Sequence, residues 1–560
     1  MRGHEIDPDE ILLDSSNLPN YDQSQFEGRL ERPISRTTLY ATGILFAVLV
    51  LIFLGQALNL QVIHGQEYKD KSESNLLNPV PIFGSRGAVF DRNGVPLIWN
   101  APASAASTTI LSGFVEDAVP SRQYATTTGL AHVLGYVQYP SKDKNGFYYR
   151  SDFEGVDGVE QYYNSQLSGE NGSRLVETDA HDNVVSESVV RPPKPGETLN
   201  LSIDSRVQSG LYSNIRAIAS QYGFSGGAGV IMDVRTGEIL AMASYPEYSP
   251  QVMSDRTDQA AVRAELADPN LPFLDRAVGG LYTPGSIVKP YVAMGVLNEN
   301  VISPTDVIVT TGSISVPNPY DPKVMNVFKD WKDLGPLDLR HAIAMSSDAY
   351  FYTVGGGYKD QKGLGIANID KYLGMFGLGE KIPDSFVTGP AGLVSSAAWK
   401  QATFNEPWFL GDTYHTVIGQ YGTQVTPVQI VRAMAAMANE GTLLVPTILK
   451  GDGPHVERTV DLPKADFDIV HQGMRLGVQI GTSVALNEPF VQVAGKSGTA
   501  ELGVSKANVN SWITGFWPYE NPKYAFAVTL EKGSVHNLIG AAAAMRQTID
   551  WMDKNTPEYF

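Results

Sequence analysis

The sequence predicts an α+β fold whose sheet draws strands from both ends of a long C-terminal region, preceded by one membrane-spanning helix. Three observations predict it. Strand signals at 227–232 and 239–243 come early, a second pair at 511–517 and 524–531 comes late, and helical periodicity fills the interval. Residues 39–58 form an apolar run without a charge. Between the two lies a stretch rich in Gly, Tyr, Asn and Ser, with short β-like pieces and no group that stands out chemically.

Composition narrows the function. A chain of 560 residues suggests two or three folded units, and 43% hydrophobic residues suffice for sizeable cores. The 42 basic against 60 acidic residues give a net charge of −18, which argues against a nucleic-acid binder. The absence of cysteine excludes disulfides, thiol catalysis and cysteine-ligated zinc. The nine histidines show no metal-ligand spacing, so no metal site and no cofactor are expected.

Taken in order, the polar residues 1–36 read as a cytoplasmic tail. Residues 37–62 hold the anchor, whose apolar run matches the roughly 20 residues a bilayer needs. That run is longer than the apolar region of a secretory signal peptide, the rival reading. Arg29, Arg32 and Arg36 precede it and place the N-terminus in the cytoplasm by the positive-inside bias. The rest of the chain then lies outside the membrane. Residues 63–197 read as a spacer or docking module, a shortened pedestal. It opens with a hairpin around Asn93-Gly94, holds one helical stretch at 158–167, and ends in Pro192-Pro193-Lys194-Pro195-Gly196. Residues 198–560 form the second domain. A strand at 199–203 leads into an amphipathic helix carrying Val207, Leu211 and Ile215, and the last helix spans 540–551.

Three motifs carry chemistry. In Ser286-Ile287-Val288-Lys289, one helical turn places a hydroxyl beside an amine that can take its proton. Pro284 and Gly285 supply the start signal of that helix. Alone the pattern is cheap, since Ser141-Lys142-Asp143-Lys144 matches it in a polar loop. The second motif, Ser346-Ser347-Asp348, interrupts the apolar stretch 342–351. It reads either as a polar site or as a helix-capping pair. The third, Lys496-Ser497-Gly498-Thr499, lies on a predicted strand, where Lys496 and Gly498 point one way and Ser497 and Thr499 the other. A surface loop is its bland alternative, and a phosphate loop would need a different glycine spacing.

The order S-x-x-K, S-x-D, K-S-G-T is that of the serine penicillin-recognising enzymes. From the anchor to about residue 551 the sequence resembles a class B penicillin-binding protein. The resemblance extends to Arg86-Gly87, Asp91-Arg92-Asn93-Gly94, Gly158, Glu160, Thr426-Pro427 and Trp512-Thr514-Gly515-Phe516. Asp348, where most members carry Asn, and the block from Trp399-Lys400 to Gly419-Gln420 are similar to the elongation-type branch, penicillin-binding protein 2.

The resemblance implies a serine penicillin-recognising transpeptidase fold, with a central antiparallel sheet between helices, beside a β-rich pedestal of the dimerisation type. It implies a D,D-transpeptidase that crosslinks peptidoglycan stem peptides through an acyl-enzyme and is inhibited by β-lactams. Ser286 is then the nucleophile, Lys289 the base, and Ser346 the proton donor to departing D-Ala. Asp348 and Lys496 shape the charge, and Ser497, Gly498 and Thr499 bind the substrate, with the backbone N–H groups of Ser286 and Thr499 as oxyanion hole. A multi-span SEDS-type glycosyltransferase is the implied partner. Some elongation-type relatives hold zinc through cysteine, which this chain lacks. A division-type transpeptidase, a carboxypeptidase, a β-lactamase and a non-catalytic β-lactam sensor are the alternatives. Asp412 is expected to cap a helix or turn rather than touch substrate, and His341 and His415 are expected to be structural.

Overall fold

The computed structural model describes residues 36–59, 62, 64, 78–101, 110–111, 114–115, 119–144, 148–178 and 184–560. The expected cytoplasmic tail, with Arg29 and Arg32, lies outside the described residues. Helix α1 (Arg36–Leu58) contains the segment Tyr40–Leu58, whose mean hydropathy of 2.4 and 19-residue length suit a membrane span. The residues of Val80–Arg174 and Thr178–Phe560 form one compact unit.

That unit opens with the hairpin expected around Asn93-Gly94. Strands β1 (Val89–Phe90) and β2 (Pro96–Ala101) pair antiparallel, and Gly94 takes a left-handed φ of 80° at the turn. β2 also pairs β3 (Ser121–Tyr124), and β4 (Leu199–Asn200) joins β1 in parallel, giving the order β4-β1-β2-β3. The strand expected over 199–203 stops at Asn200. Beyond it Ser202 Oγ donates to the Ile239 carbonyl, and Asp204 leaves the ladder to cap α2 (Ser205–Tyr222). The hairpin's own polar residues reach the same cap: Asn93 donates to Asp204 Oδ2 at 2.9 Å, and Ser205 Oγ donates to Asp91 Oδ2 at 2.7 Å. Donors from Arg206, Tyr559 and Asn93 hold the Asp204 carboxyl down at about 2 against the burial that would raise it.

The expected helix at 158–167 is two short pieces, Gly158–Tyr162 and Asn164–Leu167. Asn164 Oδ1 accepts from Arg86, from the Gly155 N–H and from Ser168 Oγ, so the break sits where this side chain serves three partners.

The second sheet has the order β6-β5-β9-β8-β7 and is antiparallel throughout. Its strands are β5 (Gly226–Asp233), β6 (Ile239–Tyr245), β7 (Ala494–Leu502), β8 (Asn508–Trp517) and β9 (Tyr524–Ser534). The first segment pairs the last, as the spacing of the strand signals predicts. Alternation along β5 assigns the faces. Ile231 packs with Leu211, Ile215, Met545 and Ile549 of α2 and α9 (Ala541–Asn555), while Val230 and Met232 join the core on the opposite side. That side is built from α3 (Lys289–Asn298), α7 (Pro427–Ala438) and α8 (Lys464–Gln479). Thr426 and Gln429 close a capping box at the start of α7, with Pro427 in the first helical turn.

Candidate active site

The site is assembled at the free edge of the second sheet. β7 is the edge strand, and its alternation buries Lys496, Gly498 and Ala500 while Thr499 and Glu501 are exposed. Against it lies a single 3-10 turn, Gly285–Val288, which runs directly into α3 at Lys289. Ser286 and Lys289 thus stand one turn apart. The turn is fixed at three points. Tyr282 exchanges two backbone hydrogen bonds with Val425, Trp512 Nε1 donates to the Thr283 carbonyl at 3.0 Å, and Gly285 N–H donates to the Gly419 carbonyl at 3.0 Å. Glycine is required where strand and turn meet. A Cβ on Gly285, at φ 61°, would stand 2.9 Å from the Thr499 carbonyl oxygen, and one on Gly498 would stand 2.9 Å from that of Pro284.

The stretch 342–351 is not one helix. α4 (Leu339–Met345) ends at Ser346 in a left-handed conformation, φ 56°, and α5 (Asp348–Gly356) starts after Ser347. Ser347 is the capping residue, accepting from Tyr350 N–H at 3.2 Å. The capping alternative therefore describes Ser347, while Ser346 and Asp348 face the two lysines.

Both lysines are buried. Lys289 Nζ donates to Asp348 Oδ1 at 2.6 Å and to the Ser346 carbonyl at 2.7 Å. Lys496 Nζ donates to Ser346 Oγ at 2.8 Å and to the Ser497 carbonyl at 2.8 Å. Burial is the first cause that pushes Lys496 well below the ordinary lysine range. The Lys289 ammonium adds to it and the Asp348 carboxylate opposes it. Ser497 Oγ donates to Thr482 Oγ1 at 2.7 Å, a partner that nothing in the sequence around Thr482 announces. The structure thus brings Ser286, Lys289, Ser346, Asp348, Lys496, Ser497, Gly498 and Thr499 to one edge. Ser141 and Lys144, the other match to the first motif, lie at a surface hairpin with Lys144 exposed.

The lesser candidates make other contacts. Asp412, in the first turn of α6 (Leu410–Val417), accepts from the Phe409 N–H at 2.7 Å and from Lys400 at 2.6 Å, which makes it a cap. His341 pairs with Asp338 at 2.7 Å, and His415 packs against Phe328 and Tyr421. Residues with a structural part in the site that sequence reasoning did not single out as such are Gly419, which receives the Gly285 N–H, and Trp512, which anchors Thr283. Both belong to blocks that carried the resemblance, and that was the available signal.

The Lys–Asp–Lys arrangement makes a pH prediction. Asp348→Asn removes the charge that opposes the lowering of Lys496, so Lys496 deprotonates at lower pH. If neutral Lys496 takes the proton, the acidic limb of the acylation rate moves to lower pH in the variant. Rates of penicillin acylation measured across pH check this, and a limb moving upward would contradict it.

Comparison with known proteins agrees with the geometry. The family model of the penicillin-binding protein transpeptidase domain matches residues 227–549, and that of the penicillin-binding protein dimerisation domain matches residues 107–201. The peptidoglycan D,D-transpeptidase MrdA of Escherichia coli K12 is 28% identical over 93% of this chain and 95% of its own length. A solved structure of Pseudomonas aeruginosa PBP2 in complex with WCK 5153 is 29% identical and has a TM-score of 0.66, over 84% of this chain and 96% of that one. A chain from a peptidoglycan synthase complex that coordinates polymerization and crosslinking is 25% identical with a TM-score of 0.69, over 93% of this chain and 98% of its own. With a transpeptidase-family match across more than half its length, the chain belongs to the class B penicillin-binding proteins and is a serine D,D-transpeptidase of their penicillin-binding protein 2 branch.

Proposed function

We propose that Ser286 attacks the D-Ala-D-Ala carbonyl of a donor stem peptide and that the acyl-enzyme is resolved by an amine of a second stem, forming a wall crosslink during elongation. The observation that carries this reading is the convergence of Ser346 Oγ on Lys496 at 2.8 Å beside the Lys289–Asp348 pair, one turn from Ser286. In this reading Lys289, one turn from Ser286, is the base, and Lys496, beside Ser346 Oγ, is the lysine that burial and then the Lys289 charge push below its ordinary range. The Ser286 proton travels to the lysine pair, and Ser346 hands it to the departing D-Ala amine. The backbone N–H groups of Ser286 and Thr499 hold the oxyanion, each donor worth roughly 10²–10³-fold by analogy with other acyl transferases. Ser497 and Thr499 hold the terminal carboxylate.

The chain is a single-pass membrane protein. The arginines before α1 favour a cytoplasmic N-terminus and an extracytoplasmic catalytic domain. Residues 37–62 act as anchor, 63–197 as pedestal and 198–560 as transpeptidase domain. The relative drawn from a peptidoglycan synthase complex supports a SEDS-type glycosyltransferase as partner. Incubation of the full-length protein with a pentapeptide donor and an amine acceptor tests the activity. A crosslinked amide product is expected. Free D-Ala with no amide product, or rapid turnover of penicillin, would replace the transpeptidase reading by a carboxypeptidase or a β-lactamase.

A further inference from the structure

The break at Ser346–Ser347 is an unusual way to hold a reactive hydroxyl. Ser346 sits in the left-handed region, φ 56° and ψ 36°, a strained conformation for a non-glycine residue that persists only when its surroundings impose it. Lys289, which donates to the Ser346 carbonyl, is one part of those surroundings, and another part comes from outside the three motifs. A hairpin of strands Ser313–Pro317 and Met325–Lys329 projects from the chain between α3 and α4, and its end, Lys329-Asp330-Trp331, runs alongside the break.

Asp330 and Trp331 bond to it, and Lys329 bonds to α5 beyond it. Asp330 Oδ2 accepts from Ser347 Oγ at 2.6 Å and from Ala349 N–H at 3.0 Å. Trp331 Nε1 donates to the carbonyl of Met345, immediately before Ser346, at 3.1 Å. The Lys329 carbonyl accepts from Tyr352 at 3.4 Å. Ser346 is therefore bracketed, by the indole on its N-terminal side and by the Asp330 carboxylate on its C-terminal side. Phe328, one residue earlier, packs against Tyr352, Tyr414 and His415 and seats the hairpin.

We propose that Asp330 and Trp331 are positioning residues for the transpeptidase reaction. They hold the helix break in register so that Ser346 Oγ reaches Lys496 and Asp348 reaches Lys289. Their bonds to the break go to the Met345 carbonyl, Ser347 Oγ and Ala349 N–H, none of them a reacting atom. Trp331 is 56% exposed, so the ring contributes little to a core, and what it adds is the fixed direction of one N–H donor. Asp330 needs only an acceptor oxygen for its two bonds, since both donors use the same atom. An amide oxygen can do that, and a methyl group cannot. The inference rests on the assignment of Ser346 and the two lysines to catalysis made under the proposed function.

The test is penicillin acylation of the full-length protein, with the rate at saturation separated from the non-covalent affinity. Trp331→Phe keeps the ring and loses the donor; Asp330→Ala loses the acceptor; Asp330→Asn keeps it. A displacement of about 1 Å at a reacting group costs roughly 10²-fold in rate. Asp330→Ala and Trp331→Phe are expected to lower the saturating rate by about 10- to 100-fold at unchanged affinity, with Asp330→Asn restored to near the wild-type rate. The melting temperature of Trp331→Phe is expected to stay at the wild-type value. Wild-type rates in Trp331→Phe and Asp330→Ala would overturn the proposal, and so would an Asp330→Asn variant as slow as Asp330→Ala. If Asp330→Ala does not fold, Trp331→Phe and Asp330→Asn still decide it. A failure of the underlying assignment reads differently, as labelling that survives loss of the Ser286 hydroxyl.

Discussion

Ser286→Ala is expected to abolish covalent labelling by a fluorescent penicillin completely, while the protein keeps its melting temperature. The loss is total because the ester to the opened β-lactam needs the serine oxygen. No other hydroxyl is offered at the same place, since Ser346 is turned toward Lys496 at 2.8 Å and Ser497 toward Thr482 at 2.7 Å. The fold is expected to survive because the turn is held by other atoms: the Tyr282–Val425 backbone pair, the Trp512 indole on Thr283, and Gly285 on Gly419. Removing one partly buried hydroxyl from such a frame costs about 1 kcal/mol or less. Gel fluorescence and thermal denaturation of the wild type and the variant, side by side, measure both. Equal labelling of the two would remove Ser286 from the mechanism and the three-motif site with it.

Glu160→Ala is expected to destabilise the compact unit by about 3–5 kcal/mol, the range for breaking a buried ion pair from one side. Glu160 is fully buried between two guanidinium groups. Arg86 Nε reaches one carboxylate oxygen at 2.5 Å and Arg122 Nε the other at 2.7 Å, with all three side chains closed to solvent. Burial, ahead of any other cause, lowers Arg86 from the ordinary arginine value, and the Glu160 charge is what offsets it. Without that carboxylate two like charges remain in a dry site. Arg86 would keep Ser168 and Asn164 as partners, and Arg122 would keep Asn100, but none of these carries a negative charge. Glu160→Gln, which retains an acceptor without the charge, is expected to fall between wild type and Glu160→Ala. Chemical denaturation of the three proteins orders them, and a Glu160→Ala midpoint equal to wild type would show the charge to be dispensable. Penicillin labelling at low temperature is expected to persist, because the network lies around β2 and β3 and not at the edge of β7.

The motifs at Ser286 and Lys496 were legible because each reads locally. A turn of helix fixes the spacing of Ser286 and Lys289, and strand alternation fixes which way Lys496 faces. The early and late strands were legible for the same reason, as short apolar runs bounded by turns. The hairpin at Asn93-Gly94 was legible from two residues alone. Legibility failed where a side chain serves a distant partner. The strand after Leu199 stops because Asp204 is needed as a cap that also receives Asn93 and Tyr559. The helix expected across 158–167 breaks where Asn164 serves Arg86 and Gly155.

By itself the sequence determined the α+β class, a helix long and apolar enough to span a membrane and the candidate reacting groups, because these depend on periodicity, length and motif order along the chain. Tertiary structure alone decided how those groups share charge and what holds them. That Lys289 pairs with Asp348 while Lys496 makes the shorter bond to Ser346 Oγ depends on the approach of α3, the α4–α5 break and β7, three segments far apart in sequence. The brace at Asp330 and Trp331 left no local trace, because an acceptor oxygen and an indole N–H acquire their roles only from the backbone they happen to face. Burial then turns that proximity into chemistry: it is the first cause that lowers Lys496, the neighbouring Lys289 charge adds to it, and the Asp348 carboxylate opposes it.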